Sequence, residues 1–182
     1  TMATRGELKP HRLYLLRHAD AEGDYSGLSD AARGLSREGR AQARETGEFL
    51  ASAGIDIILA SDATRARQTT ELLALPIPTH YRPRLYNCSA RQVLAELSGV
   101  DDQIRTVLVV GHAPGLPGLA YLLANSDSDQ AALSRVRPLY PPATVVGLEF
   151  TGGWSALTEA RLFVSRLAGR STRDFPRDFP HR

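Results

Sequence analysis

A chain of 182 residues falls within the size of one domain and can bury a core without disulfides or metals. Hydrophobic residues make up 42% and charged ones 23%, beside 15 glycines and 11 prolines, a balance that excludes collagen-like, disordered and membrane-spanning classes. The net charge is only +2 and Lys9 is the sole lysine, which excludes a Walker-type phosphate loop and Schiff-base catalysis, since both need a lysine in the site.

The remaining cations are arginines, whose guanidinium groups fork bidentately onto oxyanions, although codon usage would account for most of them equally well. The single cysteine, Cys88, cannot form an internal disulfide and agrees with a reducing compartment. Thr1 to His11 is polar, without the apolar run of a secretory signal, and the longest apolar stretches, such as Val107 to Gly111, fall far short of the roughly 20 residues that span a bilayer. The expectation is a cytoplasmic protein with no membrane or nucleic-acid partner.

In chain order, Leu13 to Leu16 is a short apolar run suited to a strand buried on both faces. Residues 19 to 34, rich in Asp, Gly and Ser, read as a loop. Ser36 caps a helix to about Ala53 with Ala43, Gly47 and Leu50 on one thin face and Gly54 as its stop. Ile55 to Ala60 is a second strand, followed by cap candidates Ser61 and Asp62 and a helix to about Leu73. Thr79 to Tyr81 reads as a short strand and Ala90 to Leu97 as a helix. Thr106 to Val110 is the clearest strand, and Pro114 then opens a helix reaching about Asn125. Thr144 to Phe150 and Trp154 to Phe163 predict two late strands in a hairpin across Gly152 and Gly153. This alternation predicts an α/β fold: a three-layer sandwich whose mostly parallel central sheet carries helices on both faces. The expected organisation is one domain over 12–165, with a flexible amino terminus at 1–11 and a flexible tail at 166–182. The tail repeats Arg173-Asp174-Phe175-Pro176 as Arg177-Asp178-Phe179-Pro180.

Ligands of such sheets gather at the carboxyl ends of the strands. His18 follows the first strand, Ser61 to Arg67 the second, and His112 the central one. Arg65 and Arg67, two residues apart on a helix, are turned about 200° from one another, so only one can face the pocket. Arg65, in the first turn near the positive end of the helix dipole, is the one expected inside. With Arg17 beside His18, the set makes a site for a tetrahedral dianion. Neutral imidazole is a competent nucleophile near pH 7, arginines stabilise charge on the equatorial oxygens, and His112 can donate a hydrogen bond to the same group.

Leu13-Tyr14-Leu15-Leu16-Arg17-His18-Ala19, Leu35-Ser36-Arg37-Glu38-Gly39-Arg40-Ala41-Gln42-Ala43, Ser61-Asp62-Ala63-Thr64-Arg65-Ala66-Arg67-Gln68-Thr69 and Val109-Val110-Gly111-His112-Ala113-Pro114-Gly115 resemble, in that order, the histidine phosphatase superfamily. The closest branch by these motifs is the SixA-type phosphohistidine phosphatases, which implies a phosphoglycerate mutase-like fold. By the resemblance His18 is phosphorylated transiently, Arg17, Arg65 and His112 bind the phosphoryl group, and no cofactor or metal is needed. Arg33 stands where this branch often carries an arginine near the pocket, or is a solvated loop residue. The substrate implied is phosphohistidine on a protein. The alternatives are a small phosphomonoester, handled by a phosphatase or mutase, and phosphate binding without turnover.

The departures from the family pattern concern proton delivery. Relatives often have a glutamate at the position of Asn87, and an amide cannot act as a general acid. Asp20 and Glu22, just after the nucleophile, are substitute acids, or else an exposed acidic loop. Ala113 stands in place of an asparagine common after the second histidine. Asp20, Glu22 and Asp24 also resemble the start of a calcium loop, but the twelfth position is Ala31, so no metal is expected. Cys88 lacks the arginine spacing of a cysteine phosphatase and reads as a packed residue, and His11, His80 and His181 are expected to face solvent.

Overall fold

The first apolar run forms a seven-residue strand, His11–Arg17 (β1), in the computed structural model, which describes residues 9–23, 27, 29–137 and 140–168. It lies inside a six-stranded mixed sheet with Ile57–Ala60 (β2), Thr79–Tyr81 (β3), Thr106–Gly111 (β4), Val145–Phe150 (β5) and Arg161–Arg166 (β6), in the order β3-β2-β4-β1-β5-β6. The four strands from β3 to β1 are parallel, while β5 runs antiparallel to both β1 and β6. Every residue of β4 is buried, as a central strand with both faces covered requires.

Alternation along β1 divides the core in two. Leu13 and Leu15 share one cluster with Val107, Val109, Val146 and Leu148 of the sheet. That face is covered by Ala90–Ser98 (α3), Gly115–Leu123 (α4) and Gln130–Val136 (α5), through Val93, Leu97, Leu116, Leu119, Leu133 and Val136. Tyr14 and Leu16 turn to the opposite face, with Ile58, Leu108 and Val110, beneath Arg37–Leu50 (α1) and Thr64–Leu72 (α2). The result is the expected α/β three-layer sandwich, with a mixed, mostly parallel central sheet and helices on both faces. Among the described residues no helix is long and apolar enough to cross a membrane.

The termini of the elements follow their local chemistry. Ser36 caps α1 by accepting the Gly39 N–H at 3.0 Å, and Ser89 forms a reciprocal capping box with Gln92 at the start of α3. Ser61 accepts the Ala63 N–H, so the helix after it begins at Thr64 rather than at the Ser-Asp pair.

Three sequence expectations are corrected. Trp154 to Phe163 is not one strand: Trp154–Ala156 is a 3-10 turn and β6 begins at Arg161. The buried Trp154 donates its backbone N–H to Asp102 Oδ1 and its indole N–H to the Ile104 carbonyl, which turns the chain out of the sheet. His11 is not part of a flexible, solvent-facing terminus, because it starts β1, is buried between Phe150 and Trp154, and bonds the Asp102 carbonyl through Nε2. At the other end β6 continues to Arg166, and Ala168 packs against the cluster containing Ala19 and Ala43. The helix α5 had no counterpart in the sequence reading; Asp129 caps it through the Ala132 N–H. His80 is exposed as expected, while His181 and the Arg-Asp-Phe-Pro repeat lie outside the described residues.

The thin face of α1 is what brings α1 against α2. A Cβ on Gly47 would lie 2.1 Å from the Leu73 carbonyl oxygen, whereas one on Gly118 in α4 would meet only the Ala90 Cβ, at 3.5 Å. The same substitution is therefore expected to have opposite signs at the two sites in urea or thermal unfolding. Gly47→Ala should cost about 2 kcal/mol through overpacking, and Gly118→Ala should be neutral or stabilise by up to about 1 kcal/mol through helix propensity.

Candidate active site

The parallel pairing of β1 with β4 sets Arg17 opposite Gly111, so the next residues of the two chains, His18 and His112, leave the sheet side by side. The ladder continues one step past the strands, with His18 N–H donating to the Gly111 carbonyl at 2.8 Å. The two imidazoles are both buried, with centroids 5.2 Å apart. On the other side of β4, the Ser61 N–H bonds the Val110 carbonyl, which holds the Ser61 hydroxyl 2.7 Å from His112 Nε2.

The His18 ring is fixed in one tautomer. Its Nδ1 lies 2.7 Å from the Ala19 carbonyl oxygen, which can only accept, so Nδ1 carries the proton and Nε2 presents a lone pair. Arg65 donates its Nε–H toward that lone pair at 3.3 Å. Burial, and then the positive charges of Arg65, Arg17 and Arg33, push the His18 pKa down to about 4, against the Ala19 carbonyl, which pulls it up. His112 is pushed down to about 3, chiefly by burial and then by His18 and Arg65. Both rings are therefore neutral near pH 7.

Arg65 is buried in the first turn of α2, while Arg67 is exposed, donates to the Asp62 carbonyl and stacks 3.9 Å from the Tyr81 ring centroid. The carbonyl of Arg65 accepts the Thr69 hydroxyl at 2.7 Å, and Thr69 Oγ1 accepts the Ala19 N–H at 3.0 Å. Through this relay α2 and the segment bearing His18 share one frame. Gln42 accepts the Asp20 N–H and Gln68 the Leu35 N–H, tying the rest of that loop to α1 and α2. A Cβ on Gly39 would lie 1.9 Å from the Asp20 carbonyl oxygen, so the start of α1 abuts the same loop.

Arg17, His18, Asp20, Asp30, Arg33, Arg65, Asn87 and His112 line one cavity of about 350 Å³. Arg17 donates Nη1 to the Tyr140 carbonyl, but its buried Nε and His112 Nδ1 find no hydrogen-bond partner among the described residues. Both residues line the cavity, and each carries a buried polar atom that the described residues leave unsatisfied. Of the two candidate acids, Asp20 reaches the lining with Oδ2 accepting the Ser36 hydroxyl at 2.5 Å, and Glu22 is exposed outside it. Arg33 is at the cavity, donating to Asp30 and to the Glu22 carbonyl. Among the described residues no group of three or more histidine, cysteine or acidic side chains is arranged to hold a metal. Cys88 is buried away from the lining, donating Sγ–H to the Leu85 carbonyl.

Sequence reasoning gave no role to Asp30 or Tyr86. The Asp30 carboxylate bonds Arg65 Nη2 at 3.1 Å, Arg33 at 3.0 Å and the Tyr86 hydroxyl at 2.5 Å. The Tyr86 hydroxyl, with the two arginines, holds its pKa down at about 2 against partial burial. The Tyr86 ring in turn stands edge-on to His112 and 5.8 Å from the Arg65 guanidinium. The one signal in the sequence was the spacing of Asp30 and Arg33, three residues apart before the first helix.

Comparison with known proteins places this geometry. The sequence model described as the histidine phosphatase superfamily (branch 1) matches residues 13–93. An uncharacterized protein of Mycobacterium tuberculosis is 34% identical over 143 residues, covering 77% of this chain and 90% of that one. The solved structure of a Nakamurella multipartitia protein bearing the name phosphohistidine phosphatase SixA is 30% identical, with a TM-score of 0.78, covering 89% of this chain and 98% of that chain. A mycobacterial glucosyl-3-phosphoglycerate phosphatase shares the fold at 20% identity, with a TM-score of 0.61 over 86% of this chain and 98% of that one. The chain belongs to the histidine phosphatase superfamily, as a SixA-like phosphatase.

Proposed function

We propose that the protein hydrolyses phosphohistidine on a protein substrate through a transient phosphohistidine of its own on His18. The observation that carries the reading is the Ala19 carbonyl on His18 Nδ1, which leaves a neutral imidazole with its Nε2 lone pair in an arginine-lined cavity. In the first step the Nε2 lone pair forms the N–P bond as the bond from phosphorus to the leaving group breaks, the leaving group taking the bonding pair. In the second, water attacks phosphorus, the N–P bond breaks and Nε2 recovers its lone pair as inorganic phosphate departs. Arg17, Arg65 and His112 bind the phosphoryl oxygens in both steps, with Arg33 at the rim, and act by stabilising charge in place.

The substrate assignment follows from leaving-group chemistry. Asn87 lines the cavity, an amide where the family resemblance implies that a glutamate is common, and Asp30 is held ionised, so neither can deliver a proton. Asp20 is the remaining carboxylate in the lining. An alkoxide needs that proton, whereas imidazole, with a reference pKa of about 6.5, departs far more readily. The other reading is a small phosphomonoester; the cavity of about 350 Å³ would accept one, and the fold is shared with a small-metabolite phosphatase. It requires Asp20 as the acid.

His18→Ala is expected to lower turnover of an aryl phosphate by roughly three orders of magnitude or more while the circular dichroism spectrum is retained; unchanged turnover would exclude His18 as nucleophile. In nuclear magnetic resonance titrations His18 Nε2 should remain unprotonated down to about pH 4. Because the folded pKa is depressed below the unfolded one, this residue's contribution to stability is complete above about pH 6.5 and lost progressively as the pH falls toward 4. A midpoint near 6.5 in the folded protein would remove the preformed nucleophile. A phosphohistidine peptide should be turned over faster than alkyl phosphates, and the reverse order would favour the small phosphomonoester.

A further inference from the structure

Each of the three nitrogens of Arg65 is already engaged through one N–H, two of them by Asp30. Nε addresses His18 Nε2, Nη1 donates to the Asp30 carbonyl at 2.8 Å, and Nη2 pairs with Asp30 Oδ2 at 3.1 Å. The other carboxylate oxygen, Oδ1, takes Arg33 through both Nε and Nη2 at 3.0 Å. One carboxylate thus spans two guanidinium groups at the mouth of the cavity, in the way two oxygens of a phosphoryl group would. The arrangement is more than a chance surface pair, because Tyr86 adds its hydroxyl to the same Oδ2 while its ring stands edge-on to His112 and 5.8 Å from the Arg65 guanidinium. Asp30 itself remains half-exposed, with water on its outer side.

We propose that Asp30 is a resident competitor for the phosphoryl site: its carboxylate occupies Arg65 and Arg33 between turnovers, yields to the incoming phosphoryl group, and returns to displace inorganic phosphate. This rests on the reading that the His18 cavity binds phosphoryl groups. The competition is between one negative charge covalently tethered to the site and a free dianion. Tethering supplies a high local concentration, and the dianion supplies a stronger pairing with two guanidiniums. The product then leaves by ligand exchange instead of by exposing two bare arginines.

The alternative role for the same contacts is structural, with Asp30 holding Arg65 in the orientation that receives phosphate. The two roles differ in sign. The test is calorimetric binding of inorganic phosphate at pH 8 to the wild type, Asp30→Asn and Tyr86→Phe. If Asp30 competes, Asp30→Asn should bind phosphate about tenfold more tightly, and Tyr86→Phe, which keeps the ring but removes one of the two bonds holding Asp30 Oδ2 in place, should shift in the same direction by less. Product inhibition in aryl phosphate turnover should strengthen in parallel. Phosphate affinity that is unchanged or weaker in Asp30→Asn overturns the proposal, since that is the structural outcome. Failure of all three proteins to bind phosphate would overturn the functional reading of the cavity itself and the competition with it.

Discussion

The site depends on the parallel register between β1 and β4. With Arg17 opposite Gly111, the residues that follow are two histidines at one carboxyl edge, and the bond from His18 N–H to the Gly111 carbonyl extends the pairing to His18. A slip of one residue would turn every side chain of β1 to the opposite face, placing Tyr14 and Leu16 where Leu13 and Leu15 pack and moving His18 away from His112. The two core clusters, one on each face, are therefore what holds the edge bearing His18 and His112 in place. The chemistry is positioned by burial that lies entirely below it.

The same burial sets the charge state of the site. Both imidazoles are withdrawn from water and face arginines, and each influence disfavours a protonated ring. The arginines that, on the proposed function, would bind a dianion thus also keep the adjacent His18 neutral, so that it would need no separate general base. The Ala19 carbonyl then decides which nitrogen is available, and the Thr69 relay keeps that segment aligned with Arg65. When a phosphoryl group arrives, its negative charge opposes the arginines' effect on His18, so the ring can hold a proton or a phosphoryl group more easily in the complex than in the free protein.

Much of this could be read from the sequence where local chemistry and tertiary placement agree. The strands before His18 and His112 are short apolar runs with no competing helical pattern, and helical rotation alone separated Arg65 from Arg67. It failed where long-range contacts override the local signal. Trp154 sits in an apolar run that looks like a strand, but Asp102, about fifty residues earlier, captures its N–H and turns the chain. His11 looked terminal and polar, yet a slot between Phe150 and Trp154 buries it. Asp30 and Tyr86 lie 56 residues apart and meet only because the loop before α1 folds across the start of α2. No periodicity or motif encodes a contact of that kind.

The charge arrangement of the cavity argues for one style of catalysis. Three arginines line it against two aspartates, one of which is held ionised by hydrogen bonds and the other engaged with Ser36. Asn87, in left-handed backbone that asparagine tolerates well, contributes an amide in place of a carboxyl group. A pocket with that composition stabilises negative charge on transferring oxygens far better than it donates protons. On the proposed function, its selectivity would come from the substrate's own leaving group: those that depart with little help would be processed, and strongly basic ones held without reacting. Under the proposed reading, the departure from the family pattern at Asn87 acts as a filter on chemistry rather than a defect, achieved by leaving out an acid while retaining the nucleophile and its arginines.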